Sequence, residues 1–384
     1  MKVLIIGGGA AGTACAIRLK QNNPQCDVTI LEHLGELCKK IYATGNGRCN
    51  LTNNKAEHYD ITKDFFESLG VMLRTDHAGR VYPYSNQAGT VAETLKRECD
   101  RLGVNVVTSC NAERAEKSGY IYNVYTDKGI FSADTVVLAT GGMSQSSLGS
   151  DGSGYKLAMD LGLKISKLSP ALVQLKSSNK NCRALKGVRA KCKIFAEING
   201  DIVGEEYGEV LFTDYGLSGI ATMNLAKYID DDRIKKGIDR ACTIIDFVPD
   251  CSEAQLTEHC KQFGGFDGIL PSRLCSIVMR QAGGDAEKAA KYIKHQRFII
   301  TGTKGFDFAQ ITNGGVTSEQ LLPSGETRLH NKLYIVGELT DKQFDCGGFN
   351  LDYAFSSGII AADSIKEKYD KNKRNKAFSR PRGE

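Results

Sequence analysis

The chain has 384 residues, enough for two or three domains with cores of their own. Charged residues make up 25% and apolar residues 41%, and no apolar run approaches the roughly 18–20 residues that cross a bilayer, so a globular protein is expected and a membrane-spanning one is not. The formal charge of +5 is modest for this length and demands no polyanionic partner.

Thirteen cysteines form no C-x-x-C pair and six histidines form no H-x-x-H or H-x3-H pair. Buried reduced thiols in a reducing compartment are expected, with no metal site. The first strand begins directly after Met1 and Lys2, which leaves no separate secretory leader and predicts a cytoplasmic protein.

Lys2 to Gly8 (KVLIIGG) reads as a buried parallel strand. Gly7, Gly9 and Gly12 then fall in G-x-G-x-x-G spacing, and a helix follows over Thr13–Lys20. A second strand, Asp27 to Glu32, ends on an acid. The glycines give a tight turn, close approach to a pyrophosphate, and close packing of the helix alongside Ala10 and Ala11. Backbone N–H groups at the helix start favour phosphate, and Glu32, followed by His33, is placed to accept from a ribose hydroxyl. Strand, turn, helix, strand and acid together predict a dinucleotide site.

Lys40 precedes a polar loop, Ala43 to Asn54, that contains Gly45, Asn46, Gly47, Arg48, Cys49 and Asn50. Its turn formers argue against a core element and for a loop that wraps the cofactor. Helices are predicted over Thr62–Leu73 and Thr90–Leu102, with an extended segment at Arg80–Tyr84 and strands at Val104–Thr108, Tyr120–Thr126 and Thr135–Ala139. The last strand runs into Ala139-Thr140-Gly141-Gly142, a second close approach of backbone, and a helix follows over Ser153–Leu161.

From about Leu168 the pattern changes. Val188, Ala190, Cys192 and Ile194 alternate with Arg189, Lys191 and Lys193, the signature of a half-exposed antiparallel strand. From Lys176 to Lys193 there are seven Lys or Arg and no acid. Gly208–Gly219 and Cys242–Asp250 extend the β pattern, three helices follow over Ser252–Phe263, Pro271–Gln281 and Asp285–Gln296, and a return strand covers Arg297–Thr301. Lys332 to Glu338 supplies a late buried strand ending in Gly337-Glu338, and Gly347-Gly348 open a further helix through Phe349 and Asn350.

Gly-bearing segments this far apart select among cofactors. A nicotinamide domain is usually contiguous, whereas a strand returning some three hundred residues after the first motif fits an FAD domain split by an insert. Glu338 would bind hydroxyls of the cofactor, and Gly347 and Gly348 leave room for an isoalloxazine edge at a positive helix end. No second G-x-G-x-x-G follows a strand, so NAD(P)H would act only as a transient reductant. The expected fold is α/β, with a discontinuous Rossmann-type FAD-binding domain (1–165 and 312–366), a β-rich inserted domain (166–250 and 297–311), a helical insert (251–296) and a disordered basic tail (367–384).

KKIYATGNGRCNLTNN, LATGGMS, GEVLFTDYGLSG, TGTKGFDFAQITNGGVT and VGE…DCGGFNLDYAFSSG resemble the signatures of the BaiN/RdsA (YhiN-like) flavoproteins, in order and over nearly the whole chain. The resemblance implies non-covalent FAD, a β-barrel-like insert and a small helical insert. It also implies reduction of a carbon–carbon double bond, with a uridine of large-subunit ribosomal RNA, reduced to dihydrouridine, as the leading reading, and reduction, desaturation or oxidation of a small metabolite of steroid-acyl or amine type as the alternative. A non-catalytic carrier is the remaining reading, opposed by the polar loop. Two departures sit near the expected flavin: Ala43-Thr44-Gly45-Asn46 replaces a common Ser-Gly-Gly-Gly run, and Cys346 stands where Thr is common.

For an RNA substrate a proton donor must serve C5 of uracil while hydride reaches C6. Cys49 is the first candidate, tuned by Arg48, and Cys346 the second; Tyr42 and Tyr353 are weaker. Arg48 is also a candidate phosphate or loop-holding residue. Arg189, Lys191 and Lys193 would form a phosphate rail for RNA, and the target base would have to flip out of its stack.

Overall fold

The computed structural model describes residues 1–378. The chain divides into two compact units, one formed by Met1–Leu168 with the chain from Thr312 onward, the other by Ser169–Ile311.

The first unit is built on a five-stranded parallel sheet, ordered Leu333–Ile335, Thr135–Leu138, Lys2–Ile6, Asp27–Leu31, Asn105–Val107. Parallel strands need both faces covered, and the opening strand shows how the sequence provides for that. Val3 and Ile5 join one apolar cluster, with the helices Ala10–Asn22 and Phe349–Phe378. Leu4 and Ile6 join a second, with the helix Ser153–Asp160 and the antiparallel strands Ala112–Ser118, Ile121–Thr126 and Gly129–Ala133. Loss of either large side chain would cost about 2–5 kcal/mol.

The opening and late helices lie against each other. A Cβ on Gly358 would fall 2.2 Å from the Ala11 carbonyl oxygen, so the contact admits no side chain there. Arg18 grips Asp363 through Nε (2.7 Å) and Nη2 (3.2 Å), and Asn22 Nδ2 donates to the same carboxylate at 2.6 Å.

Three expectations change in this unit. The helix predicted over Thr62–Leu73 is Tyr59–Ser68: Gly70 turns the chain, with Val71 N–H donating to Phe66 O at 3.0 Å, and Leu73–Thr75 becomes a strand. The polar loop is not wholly a surface feature, because Cys49 and Leu51 are fully buried and Thr52–Asn53 pairs with Arg80–Val81. The late helix continues to Phe378, through most of the segment expected to be a disordered tail; residues 379–384 lie outside the described residues.

The second unit is a closed six-stranded antiparallel barrel, ordered Leu175–Ser177, Gly216–Ser218, Asp201–Phe212, Arg189–Ile198, Ala241–Asp246, Gln296–Thr303. Ala190, Cys192, Ile194 and Ala196 point inward, as the alternation predicts. Helices Glu253–Phe263, Ser272–Ala282 and Ala286–Lys294 insert Leu256, Leu274, Val278 and Ile293 into the same core as Ile194, Phe212 and Phe298. The helical segment is therefore part of the barrel unit rather than a body of its own. Lys294 secures it, donating to Asp246 at 2.7 Å and to the carbonyls of Val248 (2.9 Å) and Cys251 (2.7 Å).

Among the described residues no helix is long and apolar enough to cross a membrane, and no group of three His, Cys, Asp or Glu could hold a metal ion.

Candidate flavin site

Gly7, Gly9 and Gly12 bring three backbones together. A Cβ on Gly12 would meet Gly7 O at 2.0 Å, and one on Gly7 would meet Ala139 O at 2.4 Å, so the turn, the opening helix and the end of the Thr135–Leu138 strand close on one another. Gly9 is the helix cap, and a Cβ there would meet nothing within 4 Å. No side chain caps the helix and no acid occupies its first turn, so the N–H groups at Ala10 and Ala11 are offered to an anion beside open space.

Glu32 is 7% exposed and both of its oxygens are engaged: Gly8 N–H donates to Oε2 at 2.7 Å and Leu34 N–H to Oε1 at 2.8 Å. Backbone therefore fixes the carboxylate at the end of its strand, and a carboxylate keeps further lone pairs for a hydroxyl donor. His33 lies 3.6 Å away through Nδ1.

The Gly141-Gly142 turn meets the later chain. Glu338 accepts from Thr312 N–H (Oε1, 2.9 Å) and from Lys40 Nζ (Oε2, 3.1 Å), and Thr312 Oγ1 accepts from Met143 N–H at 2.8 Å. A Cβ on Gly142 would fall 2.5 Å from Thr312 Oγ1. Gly337 N–H donates to Ser357 Oγ at 2.9 Å, tying the late turn to the late helix. Lys40 and Glu338, both expected to touch the cofactor, are an ion pair.

The 44–50 loop is wound in a left-handed path, with positive φ at Gly45, Asn46, Gly47 and Cys49. Asn46 and Cys49 are not glycine, and strain of this kind collects at functional sites. Arg48 holds the loop: Nε donates to Gly45 O at 3.3 Å and the guanidinium lies 5.0 Å from the Tyr82 ring centroid. Beyond the loop, Asn53 Nδ2 donates to Gly347 O at 3.0 Å and Thr52 Oγ1 to Asp352 Oδ1 at 2.6 Å. A Cβ on Gly348 would lie 2.5 Å from Thr52 O and 2.8 Å from Asn50 Oδ1. Loop and late helix are thus joined at the glycine pair, one turn before Asp352.

The proton-donor candidates separate. Cys49 is fully buried in the apolar cluster, and burial pushes its thiol up to about 12, so it packs the core and does not face a ligand. Cys346 is half-buried beside Gly347, its thiol also raised by burial. Tyr353 is raised by burial and its hydroxyl accepts from Thr340 Oγ1 at 3.1 Å. Tyr42 is raised chiefly by its hydrogen bond to Glu93 and is held by Lys96 Nζ at 3.0 Å, away from the glycine pair's own bonds. Asn350 spends its amide on the preceding loop, with Phe344 N–H (2.9 Å) and Phe344 O (2.7 Å) as partners, so it shapes the turn around Gly347 instead of reaching a ligand.

Sequence reasoning missed Asp352. It is 2% exposed and its carboxyl is raised by burial. The signal was an acid in the first turn after a glycine pair; its partner Thr52 is 300 residues away in the chain.

These residues fit FAD. Phosphate-seeking amides lie at one helix start, a glycine pair opens another, and between loop and late helix Asn50 Oδ1 is buried with no hydrogen-bond partner among the described residues.

The model of the HI0933-like protein Rossmann domain matches residues 1–364. A 3-dehydro-bile acid delta(4,6)-reductase of Clostridium scindens is 33% identical, spanning 96% of this chain and 99% of that protein. A ribosomal RNA dihydrouridine synthase of Haemophilus influenzae is 25% identical over 94% of this chain and 98% of its own. Among solved structures, a 3-ketosteroid delta1-dehydrogenase of Sterolibacterium denitrificans shares the fold, with a TM-score of 0.53 and 12% identity over 95% of this chain and 99% of that one. The chain belongs to the HI0933-like family of Rossmann-fold flavoproteins and is an FAD-dependent oxidoreductase.

Proposed function

We propose that the protein reduces a carbon–carbon double bond conjugated to a carbonyl, in a small, largely apolar molecule, with NAD(P)H as the electron source and in the cytoplasm. None of its thirteen cysteines forms a disulfide among the described residues, in keeping with a reducing compartment. The observation that carries the substrate class is the fate of the basic strand. Arg189 pairs with Glu209, Lys193 with Glu205 at 3.0 Å, and Lys191 lies 5.2 Å from the Tyr207 ring centroid. The neighbouring strand pairs off two of the three cations on the face that would have tracked phosphates and leaves only Lys191 without a carboxylate among these contacts, and a rail so reduced has little to offer RNA. The bile acid reductase at 33% identity points the same way.

A flavin held here and first reduced by NAD(P)H would supply the hydride for the β-carbon of the conjugated system. The protein's own part is to place that carbon and to deliver a proton to the α-carbon. Cys346 is suited to deliver it, because burial raises its thiol, so that it carries its proton at neutral pH, and it remains partly exposed beside the glycine pair. Cys346→Ala should lower turnover about 100-fold while leaving FAD bound.

A second reading keeps the chemistry and changes the substrate, since C5=C6 of uracil is also conjugated to a carbonyl. It rests on Lys176, Lys180 and Arg183, exposed cations outside the paired hairpin, and on the dihydrouridine synthase relative. One anaerobic experiment separates the two. Holoenzyme is given NADH or NADPH with either a 4-en-3-one steroid or a ribosomal RNA transcript. Steroid-dependent loss of the nicotinamide absorbance is expected; dihydrouridine formed in the transcript with no steroid turnover would overturn the proposal.

A further inference from the structure

Asn50 holds a buried amide oxygen with no hydrogen-bond partner among the described residues. Leaving such an acceptor dry and unpaired costs about 1–3 kcal/mol, so native proteins seldom keep one without a use. Its surroundings say what the use is. Asn50 follows the run of left-handed residues Gly45, Asn46, Gly47 and Cys49, and Asn50 N would lie 2.9 Å from a Cβ on Gly45, so the loop cannot relax without moving it. On its other side the amide oxygen faces Gly348, which takes a φ of +101° and begins the late helix, its carbonyl accepting from Asp352 N–H at 3.0 Å. The bonds from Asn53 to Gly347 and from Thr52 to Asp352 lock these two segments in register.

A lone acceptor is thus fixed beside a helix start, whose first N–H groups have no partner within the helix. That donor-next-to-acceptor edge complements one feature of FAD in particular, the imide of the pyrimidine ring, where an N–H lies between two carbonyls. We infer that Asn50 Oδ1 accepts the hydrogen bond of the flavin imide N–H, while helix-start amides near Gly348 face the adjoining carbonyl. Asn50 thereby positions the ring from its pyrimidine end and contributes to holding it. This rests on FAD being the cofactor and names the atom that reads its ring.

The test needs no turnover. Apoprotein is titrated with FAD and with 3-methyl-FAD, in which the imide proton is replaced by methyl, and binding is read from the change in flavin fluorescence. Wild type should bind the methylated cofactor about tenfold more weakly, the loss of one hydrogen bond at a buried acceptor. Asn50→Leu removes the acceptor at similar volume and should bind the two flavins nearly alike. Asn50→Asp, which keeps an acceptor, should retain the preference, and it guards against a misfolded leucine variant. Equal binding of both flavins by wild type overturns the inference, as does an undiminished preference in Asn50→Leu. Failure of wild type to bind either flavin would instead bring down the FAD assignment, and the inference with it.

Discussion

Two polar stretches of the chain, the loop at 43–54 and the basic strand reached by residue 193, have opposite fates. The loop has few charges, yet Cys49, Leu51, Thr52 and Asn53 are buried and its polar groups bond to residues some three hundred positions away. The strand is densely cationic, yet it is a solvated face on which the neighbouring strand pairs two of the three cations. Charge density is a poor guide to a site where a facing strand can cancel it. Neutral polar residues that fold inward are the better guide, because burying them demands partners.

If that contrast is sound, substitutions at the loop and its partners should far outweigh those on the strand. Gly348→Ala should be the most damaging. Its methyl would press on Thr52 O at a positive φ, and we expect a loss of about 3 kcal/mol by chemical denaturation together with colourless protein. Asp352→Asn should act through pH. Because burial raises this carboxyl in the folded state, its contribution is fully present below the unfolded value of about 3.9 and is lost as pH rises through the folded one. The advantage in Tm of the variant over wild type should therefore grow as pH rises from about 4 and then level off; parallel curves would refute the assignment. Cys49→Ala should cost about 1–2 kcal/mol by leaving a core void, with turnover per bound flavin unchanged. Arg189→Ala should change stability by less than about 0.5 kcal/mol, since the pair is exposed. A large effect there would erase the contrast.

Much of this was legible in the residue pattern, for a definite reason. The turn at Gly7–Gly12 and the two strands around it are fixed by contacts within about thirty residues, which spacing alone encodes. The inward alternation of Ala190, Cys192 and Ile194 is equally local. What escaped depends on pairing. Lys191 stands directly opposite Glu209, but the glutamate pairs instead with Arg189 on the diagonal, a detail only the hairpin register supplies. Cys49 looked reactive between Arg48 and Asn50; the left-handed turn at Cys49 itself accompanies a thiol sunk in the core while Arg48 stays exposed. Glu32 and Glu338 were expected to bind the cofactor; that amide and ammonium donors from their own unit also hold both carboxylates in place could not be read from spacing.

The clasp between Arg18 and Asp363 has a consequence for how the protein is made. Its two halves are separated by 345 positions, so during synthesis the opening nucleotide motif leaves the ribosome long before the helix that braces it. A nascent chain would carry phosphate-seeking amides with no floor beneath the ring. Vitamin-derived cofactor would be captured only after nearly the whole polypeptide has emerged, making loading a late event in biogenesis.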